Sequence, residues 1–122
     1  MHTLPSMKTS SVSTFDPAKY ELRAEVLKAM ASPVRLYLLD LLAGGERQAG
    51  ELAEQVSLDP STVSRHLSVL AGAGLVGRRR EGVKVFYFLL VPCALSFMQC
   101  VESVLRGRET RAARAAGEAD EA

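Results

Sequence analysis

Apolar residues recur at helical spacing through the first half of the chain, which predicts a series of four helices. Asp16-Pro17 and Ser32-Pro33 each combine an N-cap residue with a proline at the first helical position, so both mark helix starts. The second helix is apolar on nearly all sides and ends at Gly44-Gly45, which predicts a central, buried element. A shorter helix over roughly 48–56 follows it.

The fourth helix, predicted over 60–72 after the start signal Asp59-Pro60, has two chemically different faces. One face is apolar and is expected to pack on the preceding helices; it carries Val63, Leu67 and Leu70. The opposite face has short hydrogen-bonding side chains and one arginine, namely Ser61, Ser64, Arg65 and Ser68. Such a face permits close approach to base edges and phosphates, whereas an ordinary helix surface favours Glu, Lys and Gln. The third and fourth helices are therefore predicted to form a helix-turn-helix.

Two strands, Leu75–Arg80 and Val83–Leu89, are predicted around a Glu81-Gly82 turn, with the basic run at the hairpin tip. A cationic hairpin beside a recognition helix is a wing, which lies along the phosphates or reaches the minor groove. Pro92 then starts a last helix that is expected to end near residue 106. The predicted fold is mainly α with a small β-hairpin, a winged helix-turn-helix in the order α-α-α-α-β-β-α.

The distribution of charge supports an anionic partner, although the net charge is only +1. Residues 60–90 carry five basic side chains and one acidic one, whereas residues 44–59 carry one basic and four acidic side chains. A basic segment in a nearly neutral chain indicates contact with an anionic partner on one face. A solvated surface is the simpler explanation of a run such as Arg78–Arg80, and the predicted wing around it favours nucleic acid.

The length of 122 residues, with 48% hydrophobic and 24% charged residues, predicts one globular domain. We expect a disordered arm over 1–14, a DNA-binding and dimerisation domain over 15–106, and a flexible charged tail over 107–122. No apolar run is long enough to span a membrane and no signal peptide is recognisable, which predicts a cytoplasmic protein with reduced thiols.

The segments 27–46 and 51–89, with the helix after Pro92, resemble the ArsR/SmtB family of bacterial metalloregulatory repressors. The string STVSRHLSVLAGAGLV, at residues 61–76, is particularly similar to the recognition helix of that family and its exit into the wing. The resemblance implies that the fold is dimeric and that the homodimer binds double-stranded operator DNA. It also implies an inducer that favours a second conformation with misplaced recognition helices.

Two inducer sites common in that family are absent from this sequence. One is a Cys-x-Cys after a Glu-Leu pair, but here Glu51-Leu52 is followed by Ala53, Glu54 and Gln55. The other uses Asp and His ligands on the last helix, but the histidines of this sequence are His2 and His66, and neither lies on that helix.

Cys93 and Cys100 remain as candidate metal ligands on the last helix. Seven residues of helix rise about 10.5 Å. This separation is too large for two sulfurs that bind the same ion, each at about 2.3 Å. Either Cys93 folds back before the first helical turn, or Cys93 of one chain meets Cys100 of the other. Thiolates suit As(III) or another thiophilic metal ion, with an exogenous thiol or water as third ligand.

Alternatives to this metal site stay open. The cysteines also fit a packing role, since free cysteine is often a small buried hydrophobe. The inducer is then a small organic metabolite under the last helix, or no inducer exists.

For DNA binding, we assign base readout to the start of the recognition helix and phosphate contacts to the wing. The readout residues are Ser61, Thr62, Ser64 and Arg65; His66 and Ser68 lie on the same side. His66 is assigned a DNA contact in preference to a packing role. The phosphate contacts are Arg78, Arg79, Arg80 and Lys84. Arg79→Ala should weaken binding to every sequence, and Arg65→Ala should also relax the base preference.

A protein-interaction module without DNA binding is the rival hypothesis, and three consecutive arginines in the wing argue against it. An enzyme is not expected, because no Gly-rich phosphate loop and no nucleophile–base pair occur in the sequence. No cofactor is expected to be needed for DNA binding.

Overall fold

A computed structural model describes residues 14–121, and it describes side chains as far as residue 117. The arm predicted over 1–14, with His2, therefore lies almost entirely outside the described residues. The elements in chain order are α1 (Pro17–Met30), α2 (Pro33–Ala43), β1 (Arg47–Gln48), α3 (Ala49–Val56), α4 (Pro60–Gly72), β2 (Val76–Glu81), β3 (Lys84–Leu89) and α5 (Cys93–Glu121). Among these residues no helix is both long and apolar enough to cross a membrane.

The helix starts follow from the caps. The Ser32 side chain accepts a hydrogen bond from the backbone N–H of Arg35 at 3.4 Å. Asp59 accepts one from the backbone N–H of Ser61 at 3.1 Å. Asp16 precedes α1 without a side-chain cap, so the proline at the first turn remains as the local start signal there.

The core lies among α2, α3, α4 and the base of the wing. As predicted for a central helix, α2 buries Leu38, Leu39 and Leu42. The predicted apolar stripe of α4 is fully inward: Val63, Leu67 and Leu70 are at most 1% exposed. Val76 and Tyr87 bury the base of the hairpin in the same cluster. This packing fixes the orientation of α4, so its polar face has to point outward.

The sheet has three antiparallel strands in the order β1-β3-β2. The hairpin register runs from Val76 opposite Leu89 to Glu81 opposite Lys84, so its turn is Gly82-Val83, one residue later than predicted. Gly82 has φ 65°, a conformation that glycine adopts without a Cβ clash. The predicted fold class is confirmed. The two-residue strand β1 is an addition that its sequence does not signal, because it exists only through pairing with β3.

The predicted end of the last helix near residue 106 is wrong, because α5 continues to Glu121. The mixed charges and low apolar content of residues 107–122 predict a flexible tail. Alanine and arginine, which dominate this segment, have high helix propensity, and no proline interrupts it. This propensity accounts for the continuation of α5 beyond residue 106. The Thr110 hydroxyl also donates to the carbonyl of Arg106 at 3.1 Å within the continued helix.

Candidate nucleic-acid interface

The helix-turn-helix consists of α3 and α4, joined by residues 57–59. Ser57 ends α3 with φ 61°, a left-handed conformation, and its N–H donates to the carbonyl of Ala53 at 3.0 Å. This C-cap turns the chain sharply enough for α4 to pack across α3. The short turn and the buried stripe of α4 together hold the polar face of α4 at the surface.

The polar face of α4 is exposed much as the sequence predicts. Ser64, Arg65 and Ser68 are exposed, and Thr62 is half-buried. Ser61 is exposed too, but its hydroxyl donates to the carboxylate of Asp59. This hydrogen bond is the main cause that lowers the pKa of Asp59; the Ser61 N–H adds to it, and the charge of Arg65 makes a smaller contribution. Ser61 is thus engaged in the N-cap, and the N-cap carboxylate stays ionised beside the predicted readout residues.

His66 is half-buried and is bonded to another helix. Its Nδ1 accepts a hydrogen bond from Nε of Arg35 at 3.2 Å, while Nη1 of Arg35 donates to the carbonyl of Ala29 at 2.9 Å. Arg35 therefore joins the end of α1, α2 and the recognition helix. The structure gives His66 a packing partner, the role that the sequence favours less than a DNA contact, so the predicted DNA contact depends on the other ring nitrogen, Nε2. The partner lies 31 residues away and has no sequence signal.

The arginines of the wing lie on two faces of the sheet. Side chains alternate along a strand, so Arg78 and Arg80 share a face with buried Val76, and Arg79 lies on the opposite face. Arg78, Arg80 and Lys84 are exposed and make no ion pair among the described residues. They match the predicted phosphate contacts in exposure and charge, and this role remains a prediction.

Arg79 differs from its two neighbours because it is bound within the protein. Its Nη2 and Nε lie 2.8 Å and 2.9 Å from the two carboxylate oxygens of Glu46, and its Nη1 lies 2.6 Å from Glu81. Its guanidinium also lies over the ring of Phe86, 4.7 Å from the centroid. The hydrogen bonds to these carboxylates raise the pKa of Arg79, and the hydrogen bond from Arg79 lowers that of Glu46. This arrangement does not fit the phosphate contact that the sequence predicts for Arg79.

The two cysteines lie at separate levels of α5. Cys93 is the first residue of the helix, and both thiols are exposed and free. Because Cys93 is helical, the route in which it folds back onto Cys100 does not apply, and the rise of about 10.5 Å separates the two thiols. Within residues 14–117 no group of three or more His, Cys, Asp or Glu side chains is arranged to hold a metal ion. A thiol pair across two chains remains as a prediction. The alternative role of the cysteines as small buried hydrophobes also requires a second chain that covers their face of α5.

An exposed, acid-free helix face beside a cationic hairpin defines a winged helix-turn-helix DNA-binding domain. Similarities to known proteins agree with this class of protein. The family model of the bacterial regulatory proteins of the arsR family matches residues 32–77. The HTH-type transcriptional regulator Rv0081 of Mycobacterium tuberculosis is 37% identical over 87 residues, covering 70% of this chain and 76% of the relative. The crystal structure of Rv0081 has 34% identity and a TM-score of 0.70, and the match covers 80% of this chain and 97% of that one.

Two further similarities concern repression and assembly. The biofilm growth-associated repressor of Xylella fastidiosa is 34% identical over 89 residues, covering 73% of this chain and 78% of the relative. The homodimeric winged helix-turn-helix DNA-binding domain of Mb0332 from Mycobacterium bovis has a TM-score of 0.68 at 33% identity, covering 78% of this chain and 88% of that one. The chain belongs to the arsR family of bacterial regulatory proteins. It is a DNA-binding transcriptional regulator and not an enzyme, as the sequence predicts.

Proposed function

We propose that this regulator is a homodimeric repressor that inserts α4 into the major groove of operator DNA and lays the β2–β3 wing along the phosphates. The observation that carries this proposal is the surface formed by α4 and the wing. Its exposed cations, Arg65, Arg78, Arg80 and Lys84, make no ion pair among the described residues. A surface with unpaired cations and short hydroxyl side chains suits both phosphate contact and base readout.

Base readout belongs to the part of α4 that is exposed and is not engaged in the cap. Ser64, Arg65 and Ser68 meet this condition, and Thr62 meets it in part because it is half-buried. Arg65 contributes most, because its guanidinium can bond the O6 and N7 of guanine in bidentate fashion. Ser61, which is bonded to Asp59, acts mainly by holding the start of the helix.

The dimer interface is formed by the apolar surfaces of α1 and α5. Leu22 and Leu27 of α1 are 63% and 49% exposed, and Val104 of α5 is 52% exposed. A groove of about 490 Å³ lies between these helices and α2; its apolar lining includes Leu27, Met30, Leu36, Phe97, Val101 and Leu105. A continuous apolar surface of this kind is unfavourable in water and is covered by a second copy of the chain.

The inducer site is formed across that interface, where Cys93 of one chain meets Cys100 of the other. Both thiols are exposed on α5 in line with Phe97 and Val104, so the face that carries them is the face that needs a partner. Two thiolates hold As(III) or another thiophilic ion, and an exogenous thiol or water completes the site. Bound ion stabilises a dimer whose recognition helices no longer match the operator, and the repressor leaves the DNA.

A second inducer class is favoured by the groove itself. Its volume of about 490 Å³ lies within the range typical of small-molecule sites, and its lining is mostly apolar. A small organic metabolite in this groove is the alternative to the thiol site, with the cysteines in a packing role.

Fluorescence anisotropy on the DNA upstream of its own gene tests the DNA-binding surface. Arg65→Ala should weaken binding by roughly 5- to 150-fold, from about 1–3 kcal/mol for a bidentate base contact, and should relax the base preference. Arg78→Ala should weaken binding to all sequences and reduce the slope of log K against log salt by about one. Arg108→Ala, an exposed arginine on α5, is the matched control and should change neither. Equal effects of all three substitutions would contradict this assignment of the DNA surface.

Titration of arsenite into the reduced protein–DNA complex tests the inducer site. Wild type should be released, whereas Cys93→Ser and Cys100→Ser should each stay bound. A mixture of the two variants should regain part of the response, because mixed dimers contain one intact pair contributed by both chains. Release of both variants like wild type would overturn the thiol site. A wild-type complex that ignores arsenite would overturn it too, and would leave the groove as the candidate inducer site. Two inactive variants whose mixture is also inactive would overturn its location across the dimer.

A further inference from the structure

Arg79 spans the wing sheet from one edge to the other. The residue belongs to β2, its guanidinium lies 4.7 Å from the centroid of the Phe86 ring in β3, and it reaches Glu46, which directly precedes β1. Since the strand order is β1-β3-β2, the side chain crosses the central strand and holds both edges. Glu81 binds the remaining side of the guanidinium at 2.6 Å.

We call the Arg79 side chain with its bidentate pair to Glu46 the Arg79 strap. Its end at Glu46 is attached to the helical body. The next residue, Arg47, donates from Nε to the carbonyl of Leu41 in α2 at 3.0 Å, and it pairs with Tyr87 in the sheet. Tyr87 is 3% exposed and belongs to the core. A rotation of the hairpin relative to α2 therefore strains the chain of contacts that runs from Arg79 through Glu46 and Arg47 to Leu41.

The charge of Arg79 is matched within the protein by two carboxylates. A phosphate that approached Arg79 would meet Glu46 and Glu81 as well, and the bidentate pair with Glu46 would have to open first. Arg78 and Arg80 have no such partners among the described residues, and they lie on the opposite face of the strand. The three consecutive arginines are thus not equivalent.

We propose that Arg79 is a positioning residue which sets the angle of the wing through Glu46, so that Arg78 and Arg80 reach the phosphates, and that Arg79 itself does not contact DNA. This inference rests on the proposed operator binding. It predicts that operator affinity depends on the geometry of the Arg79–Glu46 pair and not on the charge of residue 79.

The test measures operator affinity against salt concentration for Glu46→Gln, Arg79→Gln, Arg79→Lys and the Glu46→Gln/Arg79→Gln double variant. Each single variant should weaken binding by roughly two- to fivefold, the scale of an exposed ion pair, and should change the salt slope by much less than the value of about one expected for a lost phosphate contact. Arg79→Lys should fail to rescue, because an ammonium keeps the charge but loses the bidentate fork. The double variant should bind no more weakly than the weaker single variant, since the Glu46 and Arg79 substitutions each remove the same Arg79–Glu46 pair.

A direct phosphate contact makes different predictions for the three single variants. Glu46→Gln would then tighten binding by releasing Arg79, Arg79→Lys would bind like wild type, and Arg79→Gln would lower the salt slope by about one. Any of these results would overturn the proposal. Arg78→Gln, the matched control from the same strand, should lower the slope by about one.

Hydrogen exchange gives a readout independent of DNA. Arg79→Gln should speed amide exchange over residues 76–81 and 84–89, while Arg78→Gln should leave it unchanged. Unchanged exchange in Arg79→Gln would overturn the positioning role. If Arg78→Gln and Arg80→Gln both leave operator binding unaltered, the proposed phosphate contact of the wing fails, whereas the exchange result still decides whether Arg79 holds the hairpin.

Discussion

The recognition helix and the wing present similar polar, basic surfaces, but they are held in place by different physics. The orientation of α4 follows from Val63, Leu67 and Leu70, which are almost entirely buried. In the wing, full burial ends at Val76 and Tyr87, Val85 is only partly buried against the core, and the outer part of the hairpin is held by the Arg79 strap at the surface. Buried packing depends on volume and shape, whereas a surface ion pair depends on charge geometry and salt.

This difference also changes the meaning of an arginine in each region. Arg65 lies on a helix whose position is already set by the core, so its guanidinium is available to a partner. Arg79 lies on a hairpin with little core of its own, and its guanidinium is used to hold the hairpin. A cation in a thinly packed element can therefore serve the fold instead of the ligand.

The largest effect should come from the packing that orients α4. Leu67 is 0% exposed, so Leu67→Ala should lower the free energy of unfolding by about 2–5 kcal/mol through lost burial and a cavity. Val69→Ala, at an exposed position of the same helix, should change it by less than about 0.5 kcal/mol. Urea denaturation measures both. Similar losses for the two variants would show that α4 is not oriented by its buried stripe.

An intermediate effect should come from the base of the wing. A Cβ on Gly77 would lie 2.6 Å from two atoms of the Phe88 ring, so Gly77→Ala should destabilise the protein by about 1–3 kcal/mol. Gly72→Ala at the end of α4 meets nothing within 4 Å and should instead stabilise it by about 0.4–1 kcal/mol. Thermal denaturation of the pair compares the two regions directly. An unchanged midpoint for Gly77→Ala would mean that the Phe88 ring is not confined.

The smallest effects should come from two carboxylates, the Asp59 cap of α4 and Glu46 of the wing. The pKa of each is lowered in the folded protein, mainly by hydrogen bonds from Ser61 and Arg79 respectively. The contribution of each carboxylate to stability is therefore present above its unfolded pKa, about 4, and is lost as the pH falls through the lower folded value. The stability gaps between wild type and Asp59→Ala, and between wild type and Glu46→Gln, should both close on acidification below about pH 4.

Salt should separate these two carboxylates. In 1 M salt the gap for Glu46→Gln should shrink, because an exposed ion pair is screened. The gap for Asp59→Ala should largely persist, because hydrogen bonds to a neighbouring N–H and hydroxyl carry most of it. Thermal denaturation at low and high salt measures both gaps, and an equal salt response would remove the distinction between the cap and the strap.

Much of the domain follows from local sequence. Proline after Ser32 and Asp59 marks the helix starts, and the stripe of Val63, Leu67 and Leu70 defines the inward face of α4. These signals are readable because caps, propensity and periodicity act between residues a few positions apart. They suffice for the winged helix-turn-helix and for the exposed face of α4. The continuation of α5 to Glu121 also has a local cause, the high helix propensity of its alanines and arginines, which outweighs the mixed charges of the segment.

Only the tertiary structure decided which polar side chains of the candidate interface are available to a partner. Arg79 meets Glu46 across 33 positions of sequence, and His66 meets Arg35 across 31. In the sequence Arg78, Arg79 and Arg80 are three identical letters, yet strand alternation and the order β1-β3-β2 bring only Arg79 to Glu46. Ion pairs and hydrogen bonds of this kind depend on which distant elements the core brings together, and no local pattern in the sequence encodes that proximity.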